Sequence, residues 1–238
     1  MQEHRLHDID EDPEHFLQNV NRELKELITI TTADFVKVKT ILKNYFDNSQ
    51  QTEKPTGGIS ARIEAMIVDL QYMDIFCQRV EHLVSVHKQV IKKQSALSFR
   101  ESVFHLHIFQ SMTIEVDLLQ SVSSINATLH DLKDHFAEVG KIAWNEHTFF
   151  SNTERIREII RKTITSLTEA AGDIRHLPIP PFTGDQIQML NALYTMESER
   201  VVLAWFLDKM PAGSWEDLFQ HYQATLSQIN TETNTEIF

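Results

Sequence analysis

The chain has 238 residues, a formal net charge of −12 and a single cysteine. The negative charge repels nucleic acid and anionic lipid, so neither is expected as the main partner, whereas a basic protein surface is compatible with it. One cysteine cannot form an intrachain disulfide, and no apolar run approaches the roughly 20 residues that span a bilayer. We therefore expect a cytoplasmic protein that does not insert into membranes.

Apolar residues recur at helical spacing along most of the chain, and no strand pattern is evident. An acidic leader over residues 1–12 precedes Pro13, which marks the start of the first helix. A break over residues 47–58 contains a proline and two glycines, and it separates this helix from the second. The third helix runs from about Ser98 to Gly140, and over about 40 residues such a helix is about 60 Å long.

A fourth helix follows Ser151, and Thr183 with Gln186 forms a capping box that opens a fifth helix reaching Met210. Residues 211–229 predict a short amphipathic helix, and residues 230–238 form a polar C-terminal tail. The predicted fold is all-α: an elongated bundle of long antiparallel helices over residues 13–210, hairpin-like or four-helix-bundle-like, and dimeric.

The start of the third helix is apolar on two opposite sides. Its apolar residues fall into two sets of three: Phe99, Val103 and Leu106 on one side, and Phe104, Ile108 and Met112 on the other. A helix that is apolar all round is buried. This one is expected either at the centre of the bundle or at a dimer seam.

The most informative segment is Leu70–His82, because it places polar side chains on a helix with an apolar stripe. Gln71, Asp74 and Gln78 fall at i, i+3 and i+7, so they share one side of the helix. Asp74 lies about 50° to 70° from the centre of the stripe, and the two glutamines lie about 110° to 130° away. This row either sets the register of the helices through hydrogen bonds or forms a reactive edge for a partner.

The spacing Leu70-Gln71-x-x-Asp74-x-x-x-Gln78-x-x-Glu81-His82 resembles a string that recurs in bacterial chemotaxis-associated helical proteins. Its Asp-x-x-x-Gln part is similar to that of the CheZ-type chemotaxis phosphatases, which are long helical hairpins that pair into a four-helix bundle. The segment Tyr194–Arg200 resembles a second element of such proteins. The tail ending in Ile237-Phe238 resembles the acidic segment with which that phosphatase class binds its response regulator.

The resemblance implies a substrate and a mechanism. The substrate would be the aspartyl phosphate of a CheY-like receiver, whose own Mg²⁺ is used, so the chain needs no cofactor of its own. Gln78 would hold a water molecule in line with phosphorus, and Asp74 would pair with the active-site lysine of the receiver. Phosphoryl transfer depends on positioning more than on covalent chemistry, which suits a neutral carboxamide.

The same resemblance implies a set of partner-binding residues: Gln71, Glu81, His82, Ile237 and Phe238. An alternative stays open, because a helical scaffold can bind a receiver or a chemoreceptor through this face without catalysing any reaction. Gln78→Ala separates the two hypotheses, since only the phosphatase depends on the carboxamide for phosphate release.

Other chemistry is less well supported by the sequence. Among twelve histidines no two stand four residues apart, and no Glu-x-x-His pair is present, so no metal site is expected. His130-Asp131-Leu132-Lys133 resembles the His-x-Leu-Lys of histidine phosphotransfer domains. Asp134 then replaces their usual glycine, where a carboxylate repels a phosphoryl group. A solvated helix face is the preferred interpretation, and phosphotransfer at His130 is a distant alternative.

Overall fold

The computed structural model describes residues 13–49, 57–92, 97–140, 153–170 and 181–209, together with Gln220 and Tyr222. In these ranges the chain forms six α-helices: α1 Pro13–Ser49, α2 Gly57–Lys92, α3 Leu97–Gly140, α4 Thr153–Ala170, α5 Gly184–Leu193 and α6 Glu197–Lys209. No strand occurs in the same ranges. The all-α prediction is confirmed for this part of the chain.

The first four helices begin and end close to the predicted positions. α1 starts at Pro13, and α3 is one continuous helix of 44 residues, which corresponds to about 66 Å. The leader over 1–12, the tail over 230–238 and all of 211–229 except Gln220 and Tyr222 lie outside the described residues. No helix of the described ranges is long and apolar enough to cross a membrane.

The prediction of a single fifth helix is wrong, because the segment from Thr183 onward forms two helices. The capping box that opens α5 is present, with the Thr183 N–H donating to Gln186 Oε1 at 2.8 Å and the Gln186 N–H donating to Thr183 Oγ1 at 3.4 Å. α5 ends at Leu193, and Tyr194 is extended, with φ −85° and ψ 95°.

Two side chains of α6 explain why the helix breaks at this point. The Arg200 Nε–H donates to the Tyr194 carbonyl at 3.0 Å, which replaces a helical hydrogen bond of that carbonyl. The Glu199 carboxylate accepts the Met196 N–H at 3.2 Å and so satisfies an amide that precedes α6. Helical periodicity alone does not reveal this break, because both halves continue the same apolar pattern.

The chain divides into two compact units. The first comprises Met1–Arg22, Glu81–Thr113 and Arg161–Phe238, and the second comprises Glu23–Val80 and Ile114–Ile160. Each of α1 to α4 contributes a segment to both units, so a unit is assembled from pieces that are distant in sequence.

The second unit contains an antiparallel stretch of α2 and α3. Polar contacts between them run in opposite directions along the two helices: Arg62 to Asp131 at 3.1 Å, Asp69 to Ser124 at 2.6 Å and Arg79 to Asp117 at 2.6 Å. Apolar side chains of all four helix segments fill the interior, among them Phe35, Met66, Phe76 and Leu118. Their burial is the main favourable contribution to the stability of this unit.

In the first unit α3 is buried on every side, because all ten residues from 102 to 111 are buried. Phe16 of α1 packs edge-on against Phe104, with ring centroids 5.9 Å apart. On another side Phe109 contacts Trp205 and Tyr222, with centroid distances of 5.2 and 4.7 Å. Residues 102–111 of this helix are thus covered by other segments of the same unit.

Arg79 gives a test of how the second unit is stabilised. Its side chain is only 1% exposed, and Nη1 donates to Asp117 Oδ2 at 2.6 Å. We expect Asp117→Asn to lower the free energy of unfolding by about 2–3 kcal/mol, because the buried guanidinium then loses the negative charge of Asp117. Urea denaturation measures this change.

The matched control is Asp131→Asn, which removes the partner of Arg62 in a pair whose two side chains are each 54% exposed. Its expected effect is below about 1 kcal/mol, since water and salt screen an exposed pair. The double variant Arg79→Met/Asp117→Asn should recover part of the loss. Equal losses in the two single variants would contradict this account.

Candidate functional site

An exposed polar row lies on α2 within the second unit. We define the polar row as Gln71, Asp74 and Gln78, whose side chains are all exposed. At about 100° per residue, the three lie within an arc of about 60°. The opposite side of α2 is anchored in the core by Met73 and Phe76, which are 3% and 0% exposed. The row is therefore held on a rigid, well-packed helix.

The polar row does not set the helix register. None of its three side chains, nor that of Glu81, forms a hydrogen bond to another described residue, whereas Arg79 and Asp69 bind α3 directly. The hypothesis that the row sets the helix register requires such hydrogen bonds, and these side chains do not form them with any described residue. The sequence placed Asp74 at the border of the apolar stripe, whereas in the structure its side chain is exposed.

The two residues before Gln78 do not cover the row. Phe76 is 0% exposed and points into the core of the unit. Cys77 is half-buried, and its Sγ lies 3.9 Å from the Thr32 hydroxyl of α1. Their bulk is therefore directed away from the surface on which Asp74 and Gln78 stand.

An open groove of about 250 Å³ lies beside the polar row, between α1 and α2. Its lining consists of two residues of α1 and four of α2: Lys39, Leu42, Ile67, Leu70, Gln71 and Asp74. The sequence did not single out Lys39, because the pairing of α1 with α2 is needed to place it opposite Asp74. The groove thus combines three apolar side chains with one positive and one negative group in its lining.

The site has a defined chemical capacity. A carboxamide donates and accepts hydrogen bonds, so Gln78 can orient a water molecule without carrying charge. The Asp74 carboxylate can pair with a cation, and the Lys39 ammonium can pair with an anion. Neither the polar row nor the groove lining includes a serine, cysteine or histidine that could act as a nucleophile.

The two remaining α2 residues predicted to bind a partner, Glu81 and His82, belong to the first unit. Glu81 is exposed, whereas His82 Nδ1 lies 2.8 Å from both carboxylate oxygens of Glu199. Glu199 is only 1% exposed, and its backbone carbonyl accepts a bond from Gln110 Nε2 at 3.0 Å. The structure thus joins the end of the Leu70–His82 segment to the Tyr194–Arg200 segment through His82.

The first unit also contains a buried polar chain that the sequence did not predict. We define the histidine chain as Asn21, His87, His107 and Tyr194, which come from α1, α2, α3 and the turn after α5. Three short contacts connect them: Asn21 Oδ1 to His87 Nδ1 at 2.8 Å, His87 Nε2 to His107 Nδ1 at 2.7 Å, and His107 Nε2 to the Tyr194 hydroxyl at 2.7 Å. The only signal of the histidine chain in the sequence is that His87 and His107 stand among apolar residues at helical spacing.

Burial keeps this chain neutral. It lowers the pKa of His87 to about 3, and together with the neighbouring His87 it lowers the pKa of His107 well below its ordinary value. Burial and the charge of Glu199 raise the pKa of the Tyr194 hydroxyl. A third buried histidine, His105, has its pKa lowered to about 4 by burial, against the opposing effect of its bond with the Glu101 carbonyl.

The remaining predictions concern metal binding, His130 and the last two residues of the chain. Among the described side chains, no group of three or more histidine, cysteine, aspartate or glutamate residues is arranged to hold a metal ion. His130 and Asp131 are exposed, and Asp131 pairs with Arg62 at 3.1 Å. Ile237 and Phe238 lie outside the described residues.

The buried histidines predict a loss of stability in acid. In the unfolded chain a histidine binds a proton near its ordinary pKa of 6.5, whereas folded His87 and His105 stay neutral down to about pH 3 and pH 4. Their stabilising effect is therefore complete above pH 6.5 and is lost as the pH falls towards those lower values. Each histidine costs about 1.4 kcal/mol per pH unit within its window.

Urea unfolding at a series of pH values measures this slope. His105→Gln should remove about one proton from the uptake on unfolding, because burial keeps His105 neutral in the folded protein, whereas the unfolded chain binds a proton there. Exposed His130→Gln is the matched control, because it removes a histidine that the fold does not bury. Equal slopes for wild type and His105→Gln would contradict the burial argument.

The chain was also compared with known proteins. No protein-family model, curated protein or solved structure shows significant similarity to it. What the chain does is therefore inferred from the side chains described above.

Proposed function

We propose that this chain acts in chemotaxis or two-component signalling on a CheY-like receiver, and that the polar row is the surface that meets the receiver. The observation that carries the proposal is the pair Asp74 and Gln78. Both side chains are exposed, they stand one helical turn apart, and neither is bound to another described residue. Their polar groups are therefore available to a partner.

In this proposal Gln78 promotes hydrolysis of the aspartyl phosphate of the receiver. Its carboxamide accepts a hydrogen bond from a water molecule and holds that water in line with phosphorus. The water oxygen forms the new P–O bond, the bond between phosphorus and the aspartyl oxygen breaks, and inorganic phosphate leaves. The Mg²⁺ of the receiver neutralises the developing charge, so the contribution of Gln78 is positioning.

Asp74 fixes the orientation of the receiver by pairing with its active-site lysine. Residues four apart on a helix are neighbours, so an ion pair at Asp74 places the phosphoryl group within reach of Gln78. The burial of Phe76 supports this arrangement, because the aromatic ring adds no bulk to the surface between the two residues. Gln71 extends the same contact surface by one further turn.

We further propose that the helices form an elongated bundle that dimerises in the cytoplasm. The antiparallel contacts of α2 with α3 in the second unit support long paired helices. Val36, Ile67 and Val68 are 53%, 38% and 45% exposed on α1 and α2, which leaves apolar surface that a second copy can bury. The single cysteine, Cys77, suits a reducing compartment.

The groove beside the row favours a second candidate function, a non-catalytic scaffold. The lining residues Lys39, Asp74 and Ile67 supply charged and apolar groups that can bind a receiver or a chemoreceptor without any chemical step. The Mg²⁺ and the phosphoryl group would then play no part in the interaction.

Phosphate release from a phosphorylated CheY-like receiver tests the catalytic role. Wild-type protein should accelerate release, and Gln78→Ala should reduce this acceleration on the order of 100-fold, because the attacking water is no longer positioned. The control is Gln188→Ala on α5, an equally exposed glutamine of the first unit, which should retain full activity. Undiminished acceleration by Gln78→Ala would refute its role, and binding without acceleration by the wild type would leave the scaffold.

Affinity for the receiver tests Asp74 separately. Asp74→Asn should weaken binding about fivefold to tenfold, which corresponds to about 1–1.4 kcal/mol for an ion pair at an interface. The difference should shrink in about 0.5 M salt, where exposed charges are screened. Calorimetric titration measures both values, with exposed Asp185→Asn of α5 as the control. If Asp74→Asn binds as tightly as wild type at low salt, Asp74 does not pair with the receiver.

A further inference from the structure

The turn between α5 and α6 is attached to the first unit by polar groups. Tyr194 is fully buried, and its hydroxyl is the last member of the histidine chain. Its backbone N–H donates to the Leu190 carbonyl at 2.8 Å, which ends α5. Loss of the hydroxyl contact therefore acts directly on this turn and on the end of α5.

The direction of every proton in the histidine chain follows from its first atom. Asn21 Oδ1 can only accept, so His87 Nδ1–H donates to it and His87 Nε2 carries no proton. His107 Nδ1–H then donates to His87 Nε2, and His107 Nε2 accepts the proton of the Tyr194 hydroxyl. Both histidines are neutral and protonated at Nδ1, and neither has a ring nitrogen to spare.

We propose that the histidine chain is an acid-sensitive clasp, which holds the turn between α5 and α6 in place at neutral pH and releases it when the histidine pair is protonated. A proton on His107 Nε2 removes the acceptor of the Tyr194 hydroxyl. A proton on His87 Nε2 turns this acceptor into a donor, so two N–H groups then face each other and the hydrogen bond to His107 Nδ1 is lost. Either event breaks a hydrogen bond within the chain.

The charged groups around the chain confine the effect to the turn and α5. Asn21 of α1 is neutral, and the Arg200 side chain of α6 binds only the backbone carbonyl of Tyr194 among the described residues. Glu199 of α6 is held by His82 of α2. α6 thus has an attachment at Glu199 that does not involve the Tyr194 hydroxyl.

Hydrogen–deuterium exchange of the full chain, corrected for the intrinsic effect of pH on exchange, tests the clasp. On going from about pH 7.5 to about pH 3, near which the pKa of His87 lies, amides over residues 184–196 should exchange about tenfold faster or more, while those of α6 stay protected. Acceleration that is uniform over the first unit, or absent from 184–196, would overturn the proposal.

Three variants separate the clasp from general acid sensitivity. Tyr194→Phe removes only the hydroxyl, so residues 184–196 should exchange fast at both pH values. His105→Gln removes a buried histidine outside the chain and should keep the pH-dependent release. Asn21→Asp places a carboxylate beside His87 and should move the release to higher pH by about one unit. Unchanged pH dependence in Tyr194→Phe would contradict the clasp.

Nitrogen-15 NMR of the histidine rings gives an independent readout. At neutral pH both His87 and His107 should show the proton on Nδ1, which is not the form that a free imidazole prefers. Protonation of the pair should follow the same pH course as the exchange of residues 184–196. A proton on Nε2 of either ring at neutral pH would refute the chain direction on which the clasp depends.

Discussion

Complete burial of α3 over residues 102–111 is the constraint on which the first unit depends. A helix surrounded on all sides gives water no access to its polar side chains, so an unpaired polar atom there costs free energy and a partner inside the protein stabilises the fold. His107 obtains its partners from α2 and from the turn after α5, and Gln110 obtains one from the Glu199 carbonyl. These hydrogen bonds connect α3 to the turn after α5 and to the start of α6.

α2 contributes to both units but presents different surfaces in each. In the second unit its exposed side carries the polar row, while Phe76 and Arg79 are buried behind it. In the first unit it supplies His82 and His87, which bind α6 and α3. Because the buried side is anchored by packing and by the Arg79–Asp117 pair, the exposed side can carry unpaired polar groups without a cost in stability.

Much of the fold and part of the candidate site were predictable from local sequence. Pro13 and the break near Pro55 locate helix ends because proline restricts the backbone locally, and the Thr183 capping box acts within one turn. The exposure of Gln78 follows from helical geometry alone. Lys39 was not predictable, because its place in the groove with Asp74 depends on how α1 and α2 pair. The break at Tyr194 was not predictable either, because it depends on side-chain contacts of Glu199 and Arg200 that helical periodicity does not reveal.

The sequence by itself determined the all-α class, the extents of α1 to α4 and the polar row, since helix propensity and periodicity are local properties of the chain. Only the tertiary structure decided the roles of particular polar residues. His87 and His107 resemble ordinary helical histidines in the sequence, and they became a chain with Asn21 and Tyr194 because four separate segments meet around α3. Burial at that meeting point excludes water, and this makes their hydrogen bonds to one another obligatory.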